Sequence, residues 1–134
     1  VLVFNTNSVQ ASTVINADDL QNILDKIPNE MNLDIPEIEY EKATKSIFET
    51  VKNILKNENL TTCEEKQDQN SITTKIKELT TEEGYDIEFI IRNPSIYFGK
   101  KHFEQVYITI SAVKGNTSYG NYSKEKIIKI KLKS

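Results

Sequence analysis

Between residues 17 and 57 the apolar positions recur at spacings of three and four; from residue 85 onward they fall on every second position. The first spacing belongs to a helix and the second to a strand. Asn16 with Asp19 three residues on makes an acidic capping pattern. Leu20, Ile23, Leu24 and Ile27 then share one helical face, and Pro28 stops it, so a short amphipathic helix is expected over 17–27. Residues 29–39, with Pro36 among them, read as a connector. A longer helix follows. Tyr40, Ala43, Ile47, Phe48, Val51, Ile54 and Leu55 form one stripe, with Lys42, Lys45, Glu49, Lys52 and Lys56 on the other sides. Asn57 or Asn59 ends it.

Residues 60–65 read as a short strand holding Cys63, and 66–70 as a polar loop. The stretch 71–79 fits a helix through Ile72, Ile76 and Leu79 and a strand through Ile72, Thr74 and Ile76; β-branching favours the strand. Three clear strands come next. Ile87, Phe89 and Ile91 share one face, as do Val106, Ile108, Ile110 and Ala112, and as do Ile128, Ile130 and Leu132. Strict alternation means one wet and one buried face, and the stripe of the 40–57 helix is the natural cover. The expected class is α+β: an antiparallel β-meander of three to five strands, covered on one face by one or two helices. Residues 16–134 form a single domain in this reading, which suits a chain of 134 residues.

Charge sharpens the picture. The totals are 17 basic and 20 acidic residues. Residues 1–70 hold 13 acids and 6 bases, while residues 71–134 hold 7 acids and 11 bases. An acidic partner would be steered toward the C-terminal half. No run of 18 or more apolar residues is present, so no membrane-spanning helix is expected.

Little in the chain suggests catalysis. The one cysteine, Cys63, excludes a disulfide within the chain, and the one histidine, His102, has no second imidazole to share a metal, nor does Cys63 have a second thiol. The four glycines make no phosphate loop, and no nucleophile elbow surrounds a serine. The paired acids Glu64/Glu65 and Glu82/Glu83 read as solvated. The expectation is a non-enzyme with no cofactor and no metal. Nucleic acid is disfavoured too, because Tyr107 is the one aromatic on the wet strand face and the net charge is −3.

Two stretches between the strands carry more than turns need. The first, 92–102, offers Arg92, Tyr97, Phe98, Lys100, Lys101 and His102. The second, 114–124, offers Lys114, Asn116, Tyr119, Asn121, Tyr122 and Lys124. Tyr gives broad amphipathic contact, and Asn, Ser and Gly adapt their hydrogen bonds, which suits a protein-binding surface. The plainer alternatives are a hairpin loop with incidental tyrosines, and Ile96 and Phe98 folded back on the core. In a meander, successive hairpin loops lie at opposite ends of the sheet. Two such loops would let the protein hold two partners at once.

The first fifteen residues read as the remnant of a signal peptide or as an N-terminal edge strand. Val1-Leu-Val-Phe runs into Asn-rich residues and then Val9-Gln-Ala-Ser12, a small-residue cleavage pattern. This opening, with the Ile/Asn/Lys-rich composition, resembles the small secreted virulence proteins of phytoplasmas. The β-rich C-terminal half departs from the two-helix members of that group. It is similar to the compact α+β type, which bridges plant zinc-finger transcription factors to a ubiquitin-receptor subunit of the host proteasome. The resemblance implies a secreted effector acting inside a host cell as an adaptor between host proteins. Two alternatives stand beside it: a bacterial surface or adhesin-like domain, and a helix-on-sheet hydrolase inhibitor, of which Val113-Lys-Gly115 is a partial echo.

Overall fold

The structure, a computed structural model, describes residues 13–63, 65–68, 70–93, 105–115 and 117–133. In chain order its elements are β1 (Thr13–Ile15), α1 (Ala17–Asp25), β2 (Glu30–Pro36), a 3-10 helix (Glu37–Lys42), α2 (Ala43–Asn57), β3 (Lys66–Gln67), β4 (Ser71–Thr81), β5 (Asp86–Arg92), β6 (Gln105–Lys114) and β7 (Thr117–Lys133).

Both helices begin and end for local reasons. At α1 the Asp19 N–H donates to Asn16 Oδ1 at 3.1 Å, and the Asn16 N–H donates to Asp19 Oδ2 at 2.9 Å. This reciprocal cap is worth about 1 kcal/mol. Just past the last helical residue of α2, Asn57, the chain turns at Asn59, whose φ of 63° is left-handed. The Asn59 N–H donates to Lys56 O and the Leu60 N–H to Leu55 O, so two orphan carbonyls are satisfied as Leu60 enters the core.

The strands form one seven-stranded sheet in the order β1-β4-β5-β6-β7-β2, with β3 also on β4. This corrects the expected antiparallel meander of three to five strands. The succession β4 to β7 is antiparallel. However, β1 joins β4 in parallel, and β2 joins β7 in parallel at the far edge. The strand β2 lies inside the stretch read as a connector. Its alternation of Met31, Leu33 and Ile35 with Asn32 and Asp34 is genuine but short, and Pro36 closes it.

Local expectations shift as well. Residues 71–79 are strand. The strand expected at 60–65 touches the sheet through one bridge, Thr62 to Ile76, while β3 falls in the expected polar loop. Residues 117–124, read as loop, belong to β7. The register jumps there from Ser111↔Ser123 to Ala112↔Tyr119, leaving extra residues on β7, and this irregularity breaks the period-2 pattern. The turn between β6 and β7 is tight, with Gly115 at a φ of 63°. Of the residues read as signal remnant or edge strand, 1–12 lie outside the described residues.

One face of the sheet is buried beneath both helices. Ile87, Phe89 and Ile91 of β5 and Val106, Ile108 and Ile110 of β6 meet Ile47, Phe48, Val51 and Leu55 of α2 and Leu20, Ile23 and Leu24 of α1 in one apolar cluster. Lys126 interrupts the buried row of β7. It sits opposite the buried Ile108, two positions before Ile128. Its ammonium donates to Leu24 O at 3.1 Å and to Ile27 O, both at the C-terminal end of α1. The last turn of α1 has no basic residue of its own, so Lys126 supplies the cation that the helix dipole favours there.

Replacing Lys126 with Ala leaves those part-buried carbonyls without their donor. The expected loss is about 1–3 kcal/mol in urea unfolding. Lys129→Ala, on the exposed side of the same strand, should stay within about 0.5 kcal/mol. Equal effects for the two variants would show that the contact with α1 is immaterial.

Candidate functional site

The antiparallel register decides where the predicted binding residues go. Arg92 pairs with Tyr107 at one end of the sheet, and Lys114 pairs with Thr117 at the other. The ends of β5 and β6 therefore point to opposite poles. Tyr97, Phe98, Lys100, Lys101, His102 and Asn116 lie outside the described residues. Tyr119 and Asn121 belong to β7 by their backbone, Tyr119 opposite Ala112. Tyr122 is half-buried and packs against the core cluster, and Lys124 sits half-buried opposite Ile110. These two therefore give part of their surface to the fold.

Each pole carries a cation held against a tyrosine. The Arg92 guanidinium lies 5.5 Å from the centre of the Tyr107 ring. At the other pole the Lys114 ammonium lies 5.7 Å from the Tyr85 ring. Such contacts contribute about 0.5–1 kcal/mol at exposed sites, so they orient the side chains more than they stabilise the fold. Both Arg92 and Lys114 remain exposed.

Tyr107 does not stand alone on the uncovered face. Register places Arg92, Tyr107 and Ile127 in one row, and Ile90 beside Thr109 in the next. Ile127 is 48% exposed, unusual for its size. The sequence carried a signal for it: Ile127 and Ile128 are adjacent on a strand, so one of them must face out. Ile90 and Ile91 repeat that signal. Tyr85 had no comparable mark, because its position depends on where the β4–β5 turn brings it.

A cleft of about 310 Å³ is lined by Cys63, Glu65 and Lys66 on one side and by residues of β4 and β5, among them Thr73, Lys75 and Glu88, on the other. Two of its charges, Glu65 and Lys75, are paired with other parts of the fold. Glu65 accepts from Lys45 at 2.8 Å and lies 3.5 Å from Lys52, tying this segment to α2, and Lys75 pairs with Asp86 at 3.1 Å. The hydrogen bond from Lys45 holds the Glu65 carboxyl below its ordinary value, and the same bond raises Lys45. Cys63 is half-buried and its backbone N–H donates to Lys75 O at 2.8 Å. Among the described residues, no three His, Cys, Asp or Glu side chains gather in a way that could hold a metal. Among the same residues no helix is long and apolar enough to cross a membrane.

No protein-family model matches the chain, and comparison with curated proteins and with solved structures finds no match either.

The Glu65 bond has a pH consequence with a defined sign. A carboxyl whose folded value is lowered adds stability that is complete above its ordinary value of 4.5 and is lost as pH falls through the folded value. Lys45, raised, loses its share only as pH rises through its folded value, above 10.5. The urea midpoint should therefore drop on acidification from neutral pH to below 4.5, and drop less in Glu65→Gln. Equal drops in the two proteins would contradict the role given to this bond.

Proposed function

We propose that this protein is a secreted bacterial effector that works in a host cell as a non-enzymatic, protein-binding adaptor. The observation that carries the reading is the pair of cation–tyrosine contacts at opposite poles of one sheet, Arg92 on Tyr107 and Lys114 on Tyr85. Each sits beside a polar, aromatic stretch of the chain. A cation and an aromatic presented together suit a binding hot spot, where Tyr and Arg are enriched. Two such spots on opposite ends suit simultaneous contact with two proteins. The buried helix–sheet core between them sets their separation.

The N-terminal residues 1–12 and the Ile/Asn/Lys-rich composition support a bacterial secreted origin through their similarity to phytoplasma virulence proteins. The reading extends to the partners that this similarity implies: plant zinc-finger transcription factors at one pole and a ubiquitin-receptor subunit of the proteasome at the other. The excess of bases in residues 71–134 favours acidic surfaces on those partners.

Purified components test this directly. One variant replaces Tyr97, Phe98, Lys100 and Lys101 with Ala; the other replaces Lys114 and Tyr119 with Ala. Each should lose at least tenfold in affinity, about 1.4 kcal/mol, for one partner and keep the other. Circular dichroism should match the parent in both. Two results would overturn the reading: the parent binding neither protein, or both variants losing the same one.

A further inference from the structure

We infer that the free edge of β2 is a second kind of binding site, one that takes a short extended segment of alternating basic and apolar residues. It lies apart from the two poles and does not depend on what they bind. Among the described residues β2 pairs with β7 alone and ends the sheet. The ladder pairs Glu30 with Lys129 and Met31 with Ile130, and the Lys129 N–H donates to Asn29 O. In a parallel ladder bonding alternates along the strand, so the main-chain groups of Glu30 and Asn32 face away from β7. An unpaired edge of this kind is a template for strand addition.

The chemistry of the occupant follows from the row of side chains beside that edge. Glu30, Asn32 and Asp34 share the uncovered face, while Met31, Leu33 and Ile35 turn to the core. On its bonded side β2 is already matched by Lys129-Ile-Lys-Leu-Lys133. Lys131 reaches Glu30 at 3.3 Å and Lys133 reaches Asp34 at 2.6 Å. These carboxylates stay open to the other side, the Asp34 side chain being 86% exposed. A second strand with the same alternation would find the same partners. Just beyond β2, Ile38 is 89% exposed and offers that strand an apolar contact. The register shift between Asn32 and Pro36 keeps the pairable run short.

Charge decides against a second copy of the chain. Edge-to-edge pairing of two β2 strands would set the acidic row of one beside that of the other, and like charges across strands are destabilising. At the opposite margin, among the described residues, β4 is covered and the outermost strands are β1 and β3, of three and two residues, too short to template a segment of this length. Residues 79–81 of β4 pair with β1, Ile76 pairs with Thr62, and Ile72 and Thr73 pair with β3.

The test uses the full chain and a labelled, end-capped synthetic peptide with the sequence of residues 126–133. Fluorescence anisotropy should show saturable binding, and a peptide with Glu in place of each Lys should not bind. The double variant Glu30→Gln, Asp34→Asn should bind about tenfold more weakly. N-methylation of alternate peptide amides, which leaves charge untouched, should abolish binding. The pole variants should bind the peptide like the parent, which separates this edge from the adaptor reading. Three outcomes would overturn the inference. One is no saturable binding. Another is binding indifferent to N-methylation, which would be charge attraction without strand addition. The third is a homodimer that the peptide competes away, which would give the edge to a second copy.

Discussion

The arrangement of this sheet depends on how the end of α1 is tied to β7. Lys126 reaches up from the buried row of β7 to the carbonyls of Leu24 and Ile27. Three residues along the same strand, the Lys129 N–H meets Asn29 O. The chain leaving α1 is thus fastened to β7 at successive points that advance in the same direction on both segments. With Pro28 between them the helix cannot continue, and the chain must follow β7 in parallel, Glu30 beside Lys129 and Met31 beside Ile130. A lysine in a buried row is normally unfavourable. Here the carbonyls of a helix end, which need donors, take its charge.

The rest of the molecule's surface follows. Sealing one face of the sheet under α1 and α2 leaves the two poles, the open face and the β2 edge among the surfaces open to recognition. The antiparallel succession β5-β6-β7 separates the poles and places Arg92 and Lys114 on them. The parallel addition of β2 puts Glu30 and Asp34 at the margin, next to Lys131 and Lys133. The charge asymmetry of the sequence therefore has a spatial meaning at this edge. There, acidic residues of the N-terminal half lie against basic residues of the C-terminal half. Such exposed pairs contribute little to stability, so their consequence lies in which strand they favour.

What the sequence made legible is what short-range physics controls. The cap at Asn16, the stripe of α2, its end at Asn57 and the inward rows of β5, β6 and β7 all depend on neighbouring residues. That Arg92 and Lys114, at the ends of β5 and β6, lie at opposite poles followed from antiparallel strand order alone. Hidden were the features set by contacts distant in sequence. Lys126 looks like any surface lysine, since its partners lie about a hundred residues away and a strand's period does not say which helix end lies above it. The strand β2 was masked by its short run and by Pro36, and residues 117–124 by the irregular register with β6. The cation–tyrosine pairs escaped notice for the same reason: Arg92 and Tyr107 meet across a ladder and not along a chain.

Residue-resolved amide hydrogen exchange tests the central claim, that β2 is held on β7 by one side only. The parallel ladder makes the Met31 N–H a donor to β7 and leaves those of Glu30 and Asn32 facing outward. Met31 should exchange slowly, and Glu30 and Asn32 quickly, with the amides of β5 and β6 among the slowest in the protein. Fast exchange at Met31 would mean that β2 does not belong to the sheet. Slow exchange at Glu30 and Asn32 would mean that the edge is already occupied.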